Sequence, residues 1–577
     1  MPDTVAPQAA QDVISSRLTT VTLDDKYTAK SGNIFLSGIQ ALVRLPMMQR
    51  ERDAAAGLNT AGFVSGYRGS PLGGLDETLW KAKTHLEASH VQFVPGVNED
   101  LAATAVWGTQ TVDLIGPTKY DGVFAMWYGK GPGVDRCGDV FKHMNHAGTA
   151  QHGGVLLVAG DDHGAYSSTL PHQSDHIFSA CMIPVLYPCN VQEYLDLGVH
   201  GWAMSRFSGC AVAFKALADT VESSASVDAN PQRVQVKLPQ DFAMPEGGLN
   251  TRLSSVPLGQ QARNQEALMQ DYKIYAALAY ARENKLNHTT IDSPNAKLGI
   301  IASGKSYLDV LEALEELGID EAMAAKVGLR LFKVAMIWPL EPEGVREFAQ
   351  GLDEILVVEE KRQVVEYQLK EQLYNWRDDV RPHIIGKFDD KGEWGAPRGD
   401  WLLPPKADFS VAQVARVIAG RIARLITDEA TRDLIKARLA FLDAKDAVLQ
   451  KAITTPFRPA FYCSGCPHNT STKVPEGSFA LAGIGCHVMA TSIYPEMNKL
   501  TTHMGGEGAP WIGQAAFSKV PHVFQNLGDG TYFHSGYLAV RAAVSAKVNI
   551  TYKILYNDAV AMTGGQPVDG QTSVPMI

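Results

Sequence analysis

Short apolar runs alternate with helix-like segments from about residue 31 to residue 245, and this alternation limits the folds open to the chain. The apolar runs include AGFVSGY, DGVFAMW, GGVLLVAG and GCAVAFKAL, and a typical segment between them is DETLWKAKTHLEAS. Strands buried on both faces of a parallel sheet form continuous apolar runs, and amphipathic helices connect them. The pattern predicts βαβ units on a parallel sheet, and therefore an α/β protein.

The same strand and helix pattern returns twice later in the chain, which predicts a multidomain protein. The stretch KLGIIASGKSYLDVLEALEELGI predicts a strand, a Gly turn and an amphipathic helix, and EILVVEEKRQVVEYQLKEQLYN repeats that order. A Gly-, Pro- and Ser-rich stretch between the first two regions predicts a linker. The predicted divisions are an N-terminal arm (1–30), a first α/β domain (31–245), a linker (246–289), a second α/β domain (290–390), a helical connector (391–455) and a third α/β domain (456–577).

Composition and charge exclude several classes of function. The 577 residues carry 62 acidic and 52 Lys or Arg side chains, a net charge of -10, without a basic run that could neutralise a line of phosphates. The N-terminal stretch MPDTVAPQAAQDVISSRL has no basic region followed by an apolar segment, and no window reaches the roughly 18 apolar residues that a membrane helix requires. We therefore expect a cytoplasmic protein that binds neither nucleic acid nor a membrane.

Two polar side chains follow neighbouring predicted strands of the third domain. Asp529 comes after the strand VFQNL, and Asn557 comes after the strand ITYKILY, with the helix GYLAVRAAVSAK between them. The carboxyl ends of parallel strands meet at one edge, where hard oxygen ligands can bind a divalent cation that carries a diphosphate. Gly528 and Gly530 would let the backbone approach the phosphates. The alternative is a helix-capping Asp and an unrelated turn Asn.

Several longer strings resemble one enzyme family. YCSGCPHNTST, AGIGCHVMA, GDGTYFHSGYLAVRAAV and NDAVAMTGGQPVDG resemble the thiamine diphosphate-binding domain of indolepyruvate:ferredoxin oxidoreductases, within the 2-oxoacid:ferredoxin oxidoreductase superfamily. GYRGSPLGGLD, GVNEDLAATAVWGTQ, WYGKGPGVDR and GDDHGAYSSTLPHQSDH resemble the pyrimidine-binding domain of the same enzymes, in their long fused bacterial form. The resemblance covers nearly everything from about residue 30 onward, and it implies a transketolase C-terminal-like α/β domain at 290–390.

The resemblance assigns roles to residues at the predicted sheet edge. It implies that Mg²⁺ is held by Asp529, by Asn557 and by the backbone carbonyl of Ala559, and that Gly528 and Gly530 lie against the diphosphate. It thereby identifies thiamine diphosphate and Mg²⁺ as cofactors.

The resemblance also assigns residues of the first domain and of a glycine loop. Glu99 matches the carboxylate that hydrogen-bonds the aminopyrimidine ring, and we expect burial to raise its pKa, which would favour a protonated or shared-proton carboxyl. The alternative is an acidic side chain in a first helical turn. Ser70 matches a hydroxyl near the substrate carboxylate, or else caps a helix. The string HMGGEGAP, with His503, Gly505 and Gly506, matches the loop around the diphosphate and thiazolium.

Three cysteines in the third domain are candidate metal ligands. Cys463 and Cys466 form a C-x-x-C pair, Cys486 follows 20 positions later, and the resemblance implies a [4Fe-4S] cluster whose fourth Cys lies later in the domain. The fourth ligand is not identified, because no Cys follows Cys486. A tetrahedral zinc site that includes His468 or His487 is an alternative, and so is no metal at all. The other cysteines are expected to be packed in the core: Cys137, Cys181, Cys189 and Cys210.

A group of His and Asp side chains allows a different enzyme class. Asp161, Asp162 and His163 follow the strand GGVLLVAG, at a strand end where metal hydrolases place their ligands. The resemblance instead implies that this segment lies near the cofactor and orients substrate without a metal, and we prefer that interpretation.

The resemblance implies oxidative decarboxylation of a 2-oxoacid, with an arylpyruvate such as indolepyruvate as the expected substrate. A thiamine diphosphate ylid attacks the 2-oxo carbon, CO₂ leaves, the acyl group passes to coenzyme A, and electrons pass through iron-sulfur chemistry to ferredoxin or a similar acceptor. We expect a homodimer, and either an N-terminal portion of a longer enzyme or a subunit completed by a partner chain. The alternatives are a non-oxidative thiamine diphosphate-dependent decarboxylase and a non-catalytic subunit.

Overall fold

The structure is a computed structural model that describes residues 21–253, 256–389, 401–452 and 460–577. Parts of the predicted arm, linker and connector lie outside these ranges. Strands are numbered along the chain as β1 (Asn33–Ser37), β2 (Ala61–Gly66), β3 (Val91–Phe93), β4 (Val123–Lys130), β5 (Val155–Asp161), β6 (Val185–Leu186), β7 (Val212–Leu217), β8 (Ser224–Asp228), β9 (His288–Ile291), β10 (Leu298–Ser303), β11 (Leu329–Val334), β12 (Met336–Trp338), β13 (Glu354–Val358), β14 (His383–Ile385), β15 (Ala480–Leu481), β16 (Val523–Gly528), β17 (Ile550–Leu555), β18 (Ala559–Val560) and β19 (Gln566–Pro567).

Helices connect most of these strands. Those of the first domain are Asp25–Thr28, Gly38–Ala55, Gly73–Lys81, Lys83–Ala88, Glu99–Gly108, Val112–Ile115, Gly131–Arg136, Gly138–Ala147, Asp175–Ala180, Val191–Ser208 and Ala218–Val221. Those that follow are Leu258–Leu268, Ile274–Glu283, Gly304–Glu316, Glu321–Val327, Pro342–Ala349, Val365–Leu373, Val411–Ile422, Glu429–Ala452, His468–Ser471, Ala490–Ile493, Ala509–Gln514, Asp529–Thr531 and Tyr537–Ala546. Within the described ranges, none of these helices combines the length and the apolar character needed to cross a membrane.

The first sheet contains seven strands in the order β12–β6–β7–β5–β4–β2–β3. Its neighbouring strands are parallel, except that β12 runs antiparallel to β6. Alternate residues of β4 enter opposite cores: Phe124 and Met126 pack on one face of the sheet, and Trp127 packs on the other. Such burial on both faces explains the continuous apolar runs of the sequence.

The second sheet has the order β14–β13–β10–β11–β9, and its strands are parallel except for the edge strand β9. It contains the strand, Gly turn and helix predicted from the sequence, as β10 followed by the helix Gly304–Glu316. Its residues share one apolar cluster with the first sheet, which includes Trp127 and Val357. The first two sheets are therefore packed against a common core.

The third sheet consists of three parallel strands in the order β15–β16–β17. Gly528 at the end of β16 lies opposite Leu555 at the end of β17, so the two following loops leave from one edge. A helical run then extends from Asp529 to Ala546 and contains one π-helical turn, Tyr532–Gly536. The α/β class and the mostly parallel sheets predicted from the sequence are confirmed.

Candidate active site

The edge of the third sheet brings Asp529 and Asn557 together. The Asp529 carboxylate is buried and accepts the backbone N–H groups of Gly530 at 2.9 Å, Asn557 at 3.0 Å and Asp558 at 2.6 Å. The Asn557 side-chain oxygen accepts the backbone N–H of Ala559 at 3.2 Å. Asp529 thus joins the loops that follow two neighbouring strands, and it does more than cap the helix that it begins.

The donor chemistry of this edge fits Mg²⁺ and a diphosphate. Asp529 and Asn557 offer the hard oxygen atoms that Mg²⁺ prefers. A Cβ added to Gly530 would have no neighbour nearer than 3.4 Å, and one added to Gly528 would meet only His487, at 3.7 Å. The buried Nε2 atom of His487 makes no hydrogen bond to the described parts of the chain. The oxygen donors and the uncrowded positions of Gly528 and Gly530 therefore fit a metal-bound diphosphate.

The predicted glycine loop folds around a buried carboxylate. Glu507 is fully buried and accepts the backbone N–H groups of Gly505 at 2.7 Å and Ile484 at 3.2 Å. Gly505 has a φ of 92°, which favours glycine, and a Cβ on Gly506 would lie 2.6 Å from the imidazole of His503. His503 itself is exposed and contacts Thr502. The loop places Gly505 beside the helical run that begins at Asp529.

Glu99 begins the helix Glu99–Gly108 and lies at the contact between the first and third domains. Its Oε2 atom is 2.6 Å from Nε2 of His534, which follows Asp529 by five positions. Asn98 caps the helix through the N–H of Leu101 and donates its Nδ2 to the His534 carbonyl at 3.1 Å. Trp127 donates its Nε1 to the Glu99 carbonyl at 3.0 Å. The first and third domains therefore meet at Glu99 and His534 within one chain.

The electrostatics of Glu99 correct the expectation drawn from the sequence. Burial does act to raise the pKa of this carboxyl. The hydrogen bond and charge of His534 outweigh burial, aided by a backbone hydrogen bond and by Arg136, so the pKa lies below its ordinary value. The expectation of a raised pKa was wrong because a partner from another domain, which sequence patterns do not indicate, stabilises the ionised form.

Ser70 lies in the loop between β2 and the helix Gly73–Lys81. Its Oγ atom is 2.6 Å from Oγ of Ser167, and the N–H of Ser167 donates to Asp162 at 2.8 Å. The helix Gly73–Lys81 has no side-chain cap, so the alternative that Ser70 caps it is wrong. The loop after β2 and the loop after β5 thus meet at two hydroxyl groups.

A buried arginine closes the contact between the first and third domains. Arg68 donates to Asp76 at 2.8 Å and to the carbonyl of Pro567 at 2.6 Å, and it also pairs with Asp569. The side chain of Gln566 donates to the carbonyl of Gly73 at 3.2 Å. The segment after β18 is therefore tied to the loop that carries Ser70.

The candidate metal-binding cysteines lie near one another. Burial raises the pKa of the Cys486 thiol, and the charges of Cys466 and Cys463 raise it further. Cys466 Sγ is 3.1 Å from Nδ1 of His468, whose ring stacks on that of His487. In the described ranges, no three His, Cys, Asp or Glu side chains are arranged to hold a metal ion. The [4Fe-4S] cluster therefore stays a prediction.

The other cysteines and the His and Asp group have structural partners. Cys137, Cys181, Cys189 and Cys210 are buried, as predicted. Asp161 accepts from the backbone N–H and hydroxyl of Ser174, and Nδ1 of His163 is 2.6 Å from Glu360 of the second domain. The segment expected to orient substrate thus joins the first and second domains.

Three further residues of the candidate site were not predicted from the sequence patterns. His534, Arg68 and Glu507 are buried polar groups at the contact of the first and third domains or in the glycine loop. His534 could have been proposed from the sequence, because it lies in the first turns of the helical run that follows Gly528-Asp529-Gly530. Arg68 and Glu507 gave no such signal, because their partners are distant in sequence or are backbone groups.

Two family models match the chain. The indolepyruvate ferredoxin oxidoreductase middle domain matches residues 287–452. The C-terminal thiamine pyrophosphate-binding domain of thiamine pyrophosphate enzymes matches residues 483–575, a range that includes Asp529, His534 and Asn557.

Relatives match over nearly the whole chain. The indolepyruvate oxidoreductase subunit IorA of Methanothermobacter marburgensis is 25% identical over 566 residues, which cover 95% of this chain and 79% of that protein. The subunit of the same name from Pyrococcus horikoshii is 24% identical and covers 97% of this chain and 79% of its own length.

Solved structures are more distant. A 2-oxoglutarate:ferredoxin oxidoreductase from Magnetococcus marinus is 16% identical, with a TM-score of 0.49, and the match covers 72% of this chain and 70% of that one. A transketolase from Campylobacter jejuni is 13% identical, with a TM-score of 0.36 and coverage of 71% and 51%. The two family models and the similarity to these subunits over 95% and 97% of this chain make it similar to indolepyruvate ferredoxin oxidoreductases along nearly its whole length.

Proposed function

We propose that this protein is the thiamine diphosphate-dependent part of an enzyme that oxidatively decarboxylates a 2-oxoacid, with an arylpyruvate such as indolepyruvate as substrate. The acyl group passes to coenzyme A and the electrons pass to ferredoxin or a similar acceptor. The observation that carries the proposal is the hydrogen bond between Glu99 and His534, which joins the pyrimidine-binding candidate of the first domain to the helical run after Asp529. The names of the relatives support the reaction class.

The third domain would hold the diphosphate end of the cofactor. Asp529, Asn557 and the carbonyl of Ala559 would bind Mg²⁺, and Gly528 and Gly530 leave room for phosphate oxygens. Asp529 is fixed by three backbone N–H groups before any ligand arrives. Such preorganisation reduces the conformational cost of binding.

The first domain would hold the aminopyrimidine end. Glu99 would accept or donate a proton at a ring nitrogen, and Ser70 would donate a hydrogen bond to the substrate carboxylate. When bound, thiamine diphosphate supplies the carbanion that attacks the 2-oxo carbon and the electron sink that remains when CO₂ leaves. The domain contact at Arg68 would keep water away from this reaction.

Cys463, Cys466 and Cys486 would provide three ligands of a [4Fe-4S] cluster for the electron steps. Protein purified without oxygen should then contain iron and show the broad visible absorption of thiolate-ligated iron. Cys486→Ala should lose most of both signals, whereas Cys181→Ala, at a buried cysteine of the first domain, should keep them. Zinc in place of iron, or equal signals in the two variants, would contradict the cluster.

The relatives are named as subunits, and we infer that this chain also works in an assembly in the cytoplasm, as a homodimer, with a partner chain or domain that completes the coenzyme A and ferredoxin steps. The alternatives of a non-oxidative decarboxylase and of a non-catalytic subunit make different predictions for the isolated chain. A decarboxylase would release CO₂ without reducing a low-potential dye, and a non-catalytic subunit would release none.

The test supplies the purified, anaerobic chain with thiamine diphosphate, Mg²⁺ and a dye, and compares indolepyruvate, phenylpyruvate, pyruvate and 2-oxoglutarate. We expect CO₂ release and dye reduction that are fastest with the arylpyruvates and lost in Glu99→Gln. Release from pyruvate or 2-oxoglutarate alone would contradict the substrate class. Failure to release CO₂ from any 2-oxoacid while the cofactor is bound would contradict the enzymatic proposal.

A further inference from the structure

His534 is held between a side chain of the first domain and one of its own helix. Its Nε2 atom lies 2.6 Å from Oε2 of Glu99, and its Nδ1 atom lies 2.6 Å from Oγ of Ser535. The Glu99 carboxylate accepts, so Nε2 carries the hydrogen and Nδ1 pairs with the hydroxyl. The imidazole therefore has one defined orientation, with both nitrogens in use.

The surroundings of His534 exclude water and fix the ring. His534 is 4% exposed and Glu99 is 7% exposed. The ring of Tyr67 meets the imidazole edge-on, with 4.6 Å between ring centroids. Asn98, which precedes Glu99, donates its Nδ2 to the carbonyl of His534 at 3.1 Å. A short hydrogen bond between a buried carboxylate and an imidazole in such a setting is strong and directional.

Glu99 is packed from a second direction as well. A Cβ added to Gly133 would lie 2.6 Å from Cγ of Glu99, so the glycine lets the helix Gly131–Arg136 approach this side chain. Oε2 of Glu99 is thus hydrogen-bonded to His534, and the Cγ atom of Glu99 is packed against the backbone of Gly133. With Oε2 engaged by His534, Oε1 would be the oxygen that faces a ring nitrogen of a bound ligand.

We propose that His534 is a positioning residue for Glu99, holding one carboxylate oxygen across the domain contact so that the other faces the aminopyrimidine of thiamine diphosphate. This inference rests on the proposed function. His534 does not touch the cofactor in this scheme. His534 sets the direction of the Glu99 carboxylate. Its hydrogen bond and charge also lower the pKa of Glu99, which opposes the effect of burial and favours the ionised carboxylate.

Removal of His534 should alter the pH dependence of the proton exchange as well as its rate. Burial raises the pKa of Glu99 and His534 opposes that rise, so the apparent pKa of the Glu99-dependent step should increase in His534→Ala. Glu99 also interacts electrostatically with four other titratable groups, which are the same in every variant: Tyr67, Lys130, Arg136 and Cys137.

The experiment compares wild type, His534→Ala, His534→Gln and the control His522→Ala. His522 lies at the opposite end of β16 from Asp529 and contacts Thr551. Calorimetry gives the thiamine diphosphate affinity in the presence of Mg²⁺. The rate of hydrogen–deuterium exchange at C2 of the bound thiazolium, measured as a function of pH, reports how well Glu99 supports removal of that proton.

We expect all four proteins to bind thiamine diphosphate within about threefold of one another, because none of these side chains touches the diphosphate. His534→Ala should exchange the C2 proton at least about tenfold more slowly, with its pH profile moved upward. His534→Gln should recover most of the rate, because its amide N–H reaches the same oxygen without titrating. His522→Ala should match wild type.

Two results would overturn this inference alone. One is wild-type exchange in His534→Ala while the cofactor is bound. The other is a folded His534→Gln protein that exchanges the C2 proton as slowly as His534→Ala. If the alanine variant does not fold, the glutamine variant is compared with wild type, and an exchange at least about tenfold slower would overturn the inference. Wild-type protein that fails to bind thiamine diphosphate would instead overturn the proposed function, and this inference with it.

Discussion

The carboxylate of Asp529, at the end of β16, accepts the backbone N–H of Asn557, beyond the end of β17, at 3.0 Å. This hydrogen bond joins two loops whose parent strands are paired in parallel up to Gly528 and Leu555. The loop shape at this edge therefore depends on one side chain. Because the same loops carry the candidate ligands for Mg²⁺, their geometry is set before a cofactor binds.

Gly505 should tolerate substitution poorly. Its φ is 92°, and an added Cβ would lie 2.0 Å from Oγ of Ser535. We expect Gly505→Ala to lower the free energy of unfolding of the third domain by about 1–3 kcal/mol through strain and overpacking. Urea unfolding followed by tryptophan fluorescence measures this change.

Gly513 provides the matched control, because it lies in the helix Ala509–Gln514 with nothing within 4 Å of an added Cβ. Gly513→Ala should raise the free energy of unfolding by about 0.5–1 kcal/mol, since Ala is the better helix former. Equal changes in the two variants would show that the contact between Gly505 and Ser535 has no structural role.

Arg68 should be required for the contact between the first and third domains. Its side chain and that of Asp76 are 2% and 1% exposed, and it also pairs with Asp569. Arg68→Ala would leave a buried carboxylate without its cation, which typically costs about 3–5 kcal/mol. We expect a lower thermal midpoint and faster proteolysis of the segment around Asp569.

The control for Arg68 is Arg377→Ala, since Arg377 and its partner Asp379 are 76% and 66% exposed. An exposed pair contributes about 1 kcal/mol or less, so this variant should unfold and be digested like wild type. If Arg68→Ala also resembled wild type, the domain contact would depend on other residues.

The parallel α/β architecture could be predicted because its signals are local. The strand β10 and the helix Gly304–Glu316 follow from a continuous apolar run, a Gly turn and a helical periodicity. The pairing of β12 with β6 could not be predicted in the same way. It joins Met336 to Leu186 across 150 positions, and a three-residue strand has no periodicity to detect.

The site could be predicted in part for the same reason. Asp529 and Asn557 lie at the ends of consecutive strands, so local patterns predict that they meet. The partner of Glu99 could not be predicted, because His534 is 435 positions away and the contact depends on how two domains pack. The error in the pKa of Glu99 followed directly from that missing partner.

Lys273 should make the stability of the fold depend on pH in the alkaline range. It is 1% exposed, donates to the carbonyls of Asn145 and His146, and burial lowers its pKa to about 8. The unfolded chain keeps this proton up to about pH 10.5, the ordinary pKa of lysine, so it binds more protons than the folded chain between pH 8 and 10.5. The free energy of unfolding should therefore rise with pH in this window, by up to roughly 1.4 kcal/mol per pH unit.

The measurement is urea unfolding between pH 7 and pH 10.5 for wild type, Lys273→Met and the exposed control Lys436→Met. Lys273→Met should lose this contribution to the rise, whatever its overall stability, and Lys436→Met should keep it. Identical slopes in the three proteins would mean that the folded chain retains the Lys273 proton.

The central claim is that Asp529 and its loop bind the diphosphate of thiamine diphosphate through Mg²⁺. Isothermal titration of the purified chain with thiamine diphosphate and Mg²⁺ tests it most directly, using Asp529→Ala and the control Asp558→Asn, whose carboxylate contacts Tyr556 and Gln571 rather than Asp529 or Asn557. We predict binding by wild type and by Asp558→Asn, no measurable binding by Asp529→Ala, and a thermal midpoint for Asp529→Ala that shows a folded protein. Undiminished affinity in Asp529→Ala, or no binding by wild type, would contradict the account.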